Sequence, residues 1–455
     1  VMTFLGASML SGISAQVSPL QVDTLKETKI PDQWDLQSCI DYAKEQNITI
    51  RKNRITAVST QIDVKTAKAA LFPSLSFSTG HQVVNRPYQE TSSRVSGSEI
   101  ISSNSKTSYN GNYGLNASWT LYNGNKRLKT IQQEKLNNQM AELDVATSEN
   151  NIQESIAQVY IQILYAAESV KVNENTLQVS IAQRDRGQEL LNAGSIAKSD
   201  LAQLEAQVST DRYQLVTAQA TLEDYKLQLK QLLELDGENE MNIYLPALSD
   251  ENVLAPLPTK RDVYISALSL RPEIEASKLN VEASELGINI AKSSYFPTIS
   301  LSAGIGTNHT SGSDFTFGEQ VKNGWNNSIG LSVSVPIFNN RQTKSAVQKA
   351  KLQYETSMLS LLDEQKALYK TIESLWLDAN SAQQRYAAAN EKLKSTQISY
   401  ELISEQFNLG MKNTVELLTE KNNLLQAQQE QLQAKYMAIL NTQLLKFYQG
   451  DQLAL

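Results

Sequence analysis

Cysteine is almost missing from this chain. Of 455 residues only Cys39 carries a thiol, so no internal disulfide can form. Cys39 follows Trp34, Asp35 and Leu36 in a helical pattern and reads as a small packed residue; no lipobox precedes it, so no lipid anchor is expected. The chain has two histidines, His81 and His309, and neither a metal-ligand cluster nor a nucleophile–base pair, so it is not expected to be an enzyme or to need a cofactor or metal. Gly304-Ile305-Gly306 is a bare G-x-G inside a strand pattern, not a phosphate loop. The formal net charge is −7 and no basic block interrupts it, which argues against nucleic acid as a partner. Beyond the N-terminal segment no run of roughly 18 apolar residues occurs, so no transmembrane helix is expected.

Glycine and proline are also absent from four long stretches: Asn125 to Arg186, Ser195 to Asp236, Arg341 to Leu409 and Met411 to Gln449. At a rise of about 1.5 Å per residue the longest would run about 100 Å as unbroken helix. Globular helices average about a dozen residues, so these belong to a coiled-coil class. Heptads agree. Leu201, Val208, Leu215, Leu222 and Leu229 fall in one register, and Leu204, Ala218, Tyr225 and Leu232 in the position three further on, where Asp211 is the one polar residue. Ile152, Ile156, Val159 and Ile163 mark a seam in the first stretch, Leu361, Leu368, Ile372 and Leu375 in the third, and Leu418, Leu425, Leu432 and Ile439 in the fourth. Gly194 and Gly410 sit where left-handed helix caps are expected, and Ser195 or Ser199, and Thr414, are read as caps of the helices that follow.

The chain says nearly the same thing twice. Phe72-Pro73 in "AKAALFPSLSFSTG" matches Phe296-Pro297 in "AKSSYFPTISLSAG" at an offset of 224. "LNASWTLYNGN" from Leu115 matches "LSVSVPIFNNR" from Leu331 at 216, and Gly194 matches Gly410 at 216. One connection in the first half is therefore eight residues longer. The expected division is a leader over 1–15 and a tether over 16–34, then a first repeat over 35–235 and a second over 262–450, joined by residues 236–261. The apolar start, ending near Ala15, reads as the core and cleavage site of a secretory signal cut short at its front.

Four segments alternate in the manner of strands, at about 74–84, 109–122, 298–307 and 327–338. Leu75, Phe77, Tyr113, Leu115, Ala117, Trp119, Leu121, Ile299, Leu301, Ala303, Ile305, Ile329, Leu331, Val333, Val335 and Ile337 form the apolar set; the residues between them are small and uncharged. Each run is near the length of about ten residues that a tilted membrane strand needs, and aromatics such as Phe72, Trp119, Tyr122, Phe296, Trp325 and Phe338 mark the ends. Polar stretches, from Asn85 to Thr107 and from Asn308 to Asn327, join the strands of each pair. Four strands cannot close a barrel, and an open edge in lipid leaves backbone groups unpaired. The chain must oligomerise, to eight strands as a dimer or twelve as a trimer; the residues do not choose.

These pieces, above all the tip "FNLGMKNTVELL" followed by "NNLLQAQQ" and the paired junctions "LYNGN" and "IFNNR", resemble the TolC family of outer-membrane efflux ducts from Trp34 to Gly450. The resemblance implies a mostly α fold with membrane β: a homotrimer whose twelve-stranded β-barrel lies in outer-membrane lipid of a Gram-negative bacterium and continues as a periplasmic α-helical coiled-coil barrel. It implies a passive exit duct for tripartite efflux or type I secretion. The partners would be a periplasmic adaptor and an inner-membrane RND or ABC transporter, with residues 236–261 as the equatorial crossover. By distance from the tip glycines it assigns Asp200 and Glu416 to an acidic mouth, and Lys412 to a basic position facing Ser199. Phe407 stands where the family has a hydrogen-bonding Tyr, and Thr419 replaces a second acidic ring member. Gly194, Ser195, Gly410 and Met411 form the tips that would meet the adaptor. The competing expectations are a soluble coiled-coil scaffold with a small β cap and a stand-alone porin; the second has no use for helices of about 100 Å.

Overall fold

The computed structural model describes residues 31–88, 92–96, 99–103, 106–236, 241–246, 253–311, 313 and 315–453. The expected leader, most of the tether and parts of the joining segment (237–240 and 247–252) lie outside the described residues.

Each half of the chain runs through the same succession. In the first, α1 (Leu36–Gln46) and α2 (Ile48–Ala69) lead into β1 (Ser74–Asn85); the short strands β2 (Ser92–Ser96) and β3 (Glu99–Ser103) follow, then β4 (Thr107–Asn123), α3 (Lys126–Asn192) and α4 (Lys198–Leu232). In the second, α5 (Lys260–Leu270) and α6 (Pro272–Ser293) lead into β5 (Thr298–Thr310), followed by α7 (Phe317–Asn323), β6 (Asn326–Ser334), α8 (Gln342–Asn408) and α9 (Thr414–Gln449). The lengths repeat with the order: α3 and α8 are 67 residues each, α2 and α6 are 22, and α4 and α9 are 35 and 36. The starts of α1 and α5, and of β1 and β5, differ by 224; those of α3 and α8, and of α4 and α9, by 216. Among the described residues no helix is long and apolar enough to cross a membrane.

By proximity the chain forms two compact units. One gathers the described residues of Val1–Thr56, Asp144–Pro272 and Gln365–Leu455; the other gathers Ala57–Leu143 and Glu273–Glu364. Each unit draws on both halves of the sequence, so the duplication is not a division into two folded bodies.

The second unit holds a four-stranded antiparallel sheet in the order β1-β4-β5-β6. Register sorts the side chains of each face. Leu75, Ala117, Ala303 and Ile329 lie in one row, and Trp119, Leu301 and Leu331 in another. The alternate rows are polar or small: Ser74, Ser118, Ser302 and Gly330, then Ser76, Asn116, Gly304 and Ser328. Hydroxyls knit these rows, with Ser74 and Ser118 3.0 Å apart and Ser302 donating to the Gly330 carbonyl. The apolar rows stay largely open among the described residues: Leu75, Phe77, Ile329 and Leu331 are each more than 60 % exposed.

Two details of the sheet correct the sequence reading. A bulge between Thr120 and Tyr122 leaves Leu121 unpaired and sets Tyr122 against Ile299, so Tyr122 replaces Leu121 in the apolar alternation. The last strand ends at Ser334 instead of Phe338, because its pairing ends where β5 begins, at Thr298, and Pro336 has no N–H to extend it. The joining stretches are also less bare than expected. The first carries the β2–β3 hairpin and the second carries α7, opened by a Thr316–Glu319 capping box.

The first unit is a helical body around one apolar core. Ile156, Tyr160, Ile163 and Leu164 of α3, Leu229 of α4, Tyr386 of α8 and Ile439 of α9 meet Trp34, Cys39 and Ile40. Trp34 packs edge-on against Tyr42, and its backbone exchanges hydrogen bonds of 2.8 Å with Asn242 and Tyr244. Tyr160 donates to the Tyr244 carbonyl at 2.6 Å. Burial pushes the Cys39 thiol up to about 12, as befits a packed, unreactive side chain.

Candidate functional site

Both helix-to-helix tips lie in the helical unit, and both are built alike. At the first, Ser195 N–H reaches back to the Leu190 carbonyl (2.8 Å) and Gly194 N–H to that of Leu191 (2.9 Å); at the second, Met411 bonds to Gln406 (2.8 Å) and Gly410 to Phe407 (2.9 Å). The glycines sit at φ +72° and +75°, the left-handed conformation that such a helix end requires.

The caps differ from the sequence reading. Neither Ser195 nor Ser199 caps α4: Ala197 is its N-cap, and the Asp200 carboxylate accepts the Ala197 backbone N–H at 3.0 Å. Thr414 is the first residue of α9, and its N-cap is Asn413, whose side chain accepts from Glu416 N–H (2.9 Å) while Glu416 accepts from Asn413 N–H (3.2 Å). A carboxylate in the third helical position fixes each start, so the cap falls three residues before it. Asp200 and Glu416, equivalent by the repeat, thus do equivalent structural work.

Lys412 does not reach Ser199 or Asp200 within the chain. It pairs with Glu416 at 2.6 Å on its own tip. The Lys412 and Asn413 hydrogen bonds hold the Glu416 carboxyl below the usual carboxylate range. Phe407 is buried at 3 % exposure and Leu417 is fully buried; Thr419 turns its hydroxyl back to the Val415 carbonyl (2.8 Å). Gly187 lies where α3 passes α4 closely: a Cβ there would collide with Leu204 Cδ1.

Further along the hairpins from the tips, a polar layer crosses the helices. Ser180 of α3, Asp211 of α4 and Lys421 of α9 bond to one another, the Lys421 ammonium to both partners and the Ser180 hydroxyl to the Asp211 carboxylate. All three are at most 3 % exposed. Gln207 donates to the second Asp211 oxygen (2.9 Å) and to Asn422 (3.3 Å). Gln183 of α3 donates to the Tyr400 hydroxyl of α8 at 2.8 Å, and Ser399 to Glu420 at 3.1 Å. Burial holds the Lys421 ammonium below its usual range in spite of the facing carboxylate. The sequence flagged Asp211 as an exception within its seam but not its partner. The signal for Lys421 was present: Thr414, Leu417, Lys421 and Leu424 step 3-4-3 and form a row more buried than the one led by Leu418.

Among the described residues no group of three or more His, Cys, Asp or Glu is arranged to hold a metal ion. What the tips offer is electrostatic and mechanical: one carboxylate at each helix start, one internal ion pair, and a buried layer that joins three helices.

A sequence model described as "Outer membrane efflux protein" matches residues 39–234 and, again, 263–450. The outer membrane efflux protein BepC of Brucella suis biovar 1 (strain 1330) is 24% identical over 294 residues, 64% of this chain and 61% of that protein. The outer membrane protein TolC of Escherichia coli (strain K12) is 24% identical over 294 residues, 63% of this chain and 58% of that one. The chain thus spans about three-fifths of the length of these relatives. Over more of its length it superposes on the crystal structure of CusC, with a TM-score of 0.77 at 19% identity, covering 92% of each chain.

Proposed function

The chain belongs to the outer membrane efflux protein family, and from that membership we propose that it is the passive exit duct of a tripartite efflux or type I secretion system. Three copies would close a twelve-stranded barrel in the outer membrane and extend a helical tunnel into the periplasm. Cargo would arrive through a periplasmic adaptor from an energised inner-membrane transporter of the RND or ABC type.

One observation carries this reading. Among the described residues the β1-β4-β5-β6 sheet has two unpaired edges, and one face keeps Leu75, Phe77, Ile329 and Leu331 exposed. In water such a face and such edges invite aggregation; in lipid the face is solvated, but every edge must be paired by another strand. Closing the edges with further copies satisfies both demands. The polar rows on the opposite face suit a water-filled lumen. The tips around Gly194, Ser195, Gly410 and Met411 would meet the adaptor. Asp200 and Glu416 would ring the mouth, where low-dielectric walls focus their field on passing cations; Phe407, Lys412, Ser199 and Thr419 complete the gate region.

Native mass spectrometry of the detergent-extracted protein tests the assembly. A trimer is the expected species, and a monomer or dimer as the sole species would overturn the reading.

A further inference from the structure

The duplication has left the same hollow in both long hairpins, with different chemistry. Between α3 and α4 it measures about 330 Å³ and is bordered by Tyr165, Ala166, Ser169, Ala218 and Thr221. Between α8 and α9 it measures about 470 Å³ and is bordered by their counterparts at the offset of 216: Ser381, Ala382, Arg385, Ala434 and Met437. The two alanines are kept, and the walls around them are not. Among the described residues the first hollow has no charged side chain on its border, whereas the second has four. Two of these, Lys392 and Glu430, pair with each other at 2.7 Å. The other two, Asp378 and Arg385, stand where the first half has Gln162 and Ser169. Asn441, in place of Tyr225, also borders the second hollow. It is 6 % exposed, and its side-chain amide makes no hydrogen bond among the described residues. A buried amide without a partner is costly, so it calls for something to fill the space before it.

We propose that the α8–α9 hollow binds a small organic acid. Its carboxylate meets Arg385, its apolar body crosses Ala382, Ala434 and Met437, and a polar group reaches Asn441. The volume lies within the range of small-molecule sites, about 300–1,000 Å³. A guanidinium offers a carboxylate a fixed fork of donors, and neither ion pair made by α8 engages Arg385. The exit-duct reading enters at one point, because there a neighbouring copy stands beside these helices. Within the chain Tyr165, on the border of the first hollow, packs edge-on against Tyr436 of α9, with ring centroids 6.4 Å apart. In the trimer α4 of a neighbouring copy would stand to the second hollow as α9 stands to the first. The counterparts of the two tyrosines are then Ser381 and Ala220. The pair of rings at the seam within the chain has no equivalent at the seam between copies, and the second hollow stays open.

Photolabelling of detergent-extracted trimers with 4-benzoylbenzoate, a carboxylate on an apolar diaryl ketone, tests this. On irradiation the ketone takes a hydrogen atom from a nearby C–H and the two carbons join, leaving a tertiary alcohol. Mass mapping should place a saturable label on the α8–α9 segments, chiefly at Met437. Arg385→Gln should lower that label about tenfold, the loss of one charge-assisted contact, and Arg385→Lys should lower it less. Ser381→Tyr restores the ring of the first hollow and should abolish the label. Label at Met437 that survives Arg385→Gln undiminished, or equal labelling around Thr221, would overturn the proposal. So would assembled trimers without label at Met437, the result expected if a neighbouring copy fills the hollow. If Arg385→Gln does not assemble, Ser381→Tyr decides, and unchanged labelling in that variant overturns the proposal. Wild-type protein that forms no trimer would instead refute the duct reading, and labelling of the single chain would then test the hollow alone.

Discussion

Adjacent residues of one strand should respond in opposite ways to the same charge. Leu331 sits near the middle of β6, opposite Leu301, in the row that continues to Trp119. It is 65% exposed in the single chain and has only lipid to meet in the proposed barrel. Ser332, the next residue, belongs to the opposite face and pairs with Ser300 beside Thr120. An arginine on the lipid face near the midplane costs about 2–4 kcal/mol. Three copies far enough apart to act independently bring that to about 6–12 kcal/mol per trimer. This is comparable to the entire net stability of a typical domain, about 5–15 kcal/mol. Leu331→Arg should therefore deplete assembled trimer from outer-membrane fractions, whereas Ser332→Arg, whose side chain would face the proposed lumen, should assemble almost normally. The assay is the yield of heat-modifiable trimer, with urea midpoints in liposomes as the quantitative check. Equal assembly of the two variants, or the reverse order, would show that the faces are misassigned, since a shift of one residue in register exchanges them.

Gly194→Ala and Gly410→Ala should each lower stability by only about 1–2 kcal/mol, the penalty of the left-handed conformation, because nothing lies within 4 Å of the added carbon. Gly124→Ala should cost clearly more in thermal melting: it shares the positive φ (+67°), and its added carbon would lie 2.6 Å from the Ser293 carbonyl oxygen. The Glu416 carboxyl, held low by Lys412, stays charged as the pH falls, so the cation selectivity proposed for it should survive below about pH 4.3, where an ordinary glutamate titrates. Lys412→Ala should move that loss of selectivity upward in pH, as read from reversal potentials; an unchanged titration would mean that the ion pair does not act on Glu416.

Much of the architecture was legible because it is periodic. The four long helices announced themselves by long stretches without glycine or proline and by heptads, and the strands by alternation, although α3 runs on through Gly187 to Asn192. α2 and α6 were not announced. In α2, Ile50 and Val64 are buried while Ile55, Val58 and Ile62 are exposed, so no single stripe marks the helix. The bulge at Leu121 was invisible for a similar reason: alternation runs straight through it, and only the partner strand shows the change of parity. At the tips the glycines were read correctly, but the caps were assigned to hydroxyls by proximity. Asp200 and Glu416 decide them instead, being three residues into each helix and able to reach back. Within the chain Lys412, in the turn before α9, pairs with Glu416 of the first turn of that helix, a partner that the spacing from the tip glycine did not suggest.

The matched lengths of the two halves restrict how such a chain can change. α3 and α8 are both 67 residues, and the starts of α3 and α8 and of α4 and α9 share one offset of 216. One residue inserted into α9 before Lys421 would turn the rest of that helix by about 100° and advance it by about 1.5 Å. Lys421 would then swing off Asp211, and the apolar row behind it would rotate toward water. Insertions and deletions in the helices are therefore tolerable only in multiples that restore the seam, about seven residues at a time, or in compensating pairs across the repeat. The one length difference that has accumulated, eight residues, falls between β1 and α3, in the half where the β2–β3 hairpin stands in place of α7. Drift in length is confined to the stretch between β1 and α3, while the long helices are bound to keep step with their own copies.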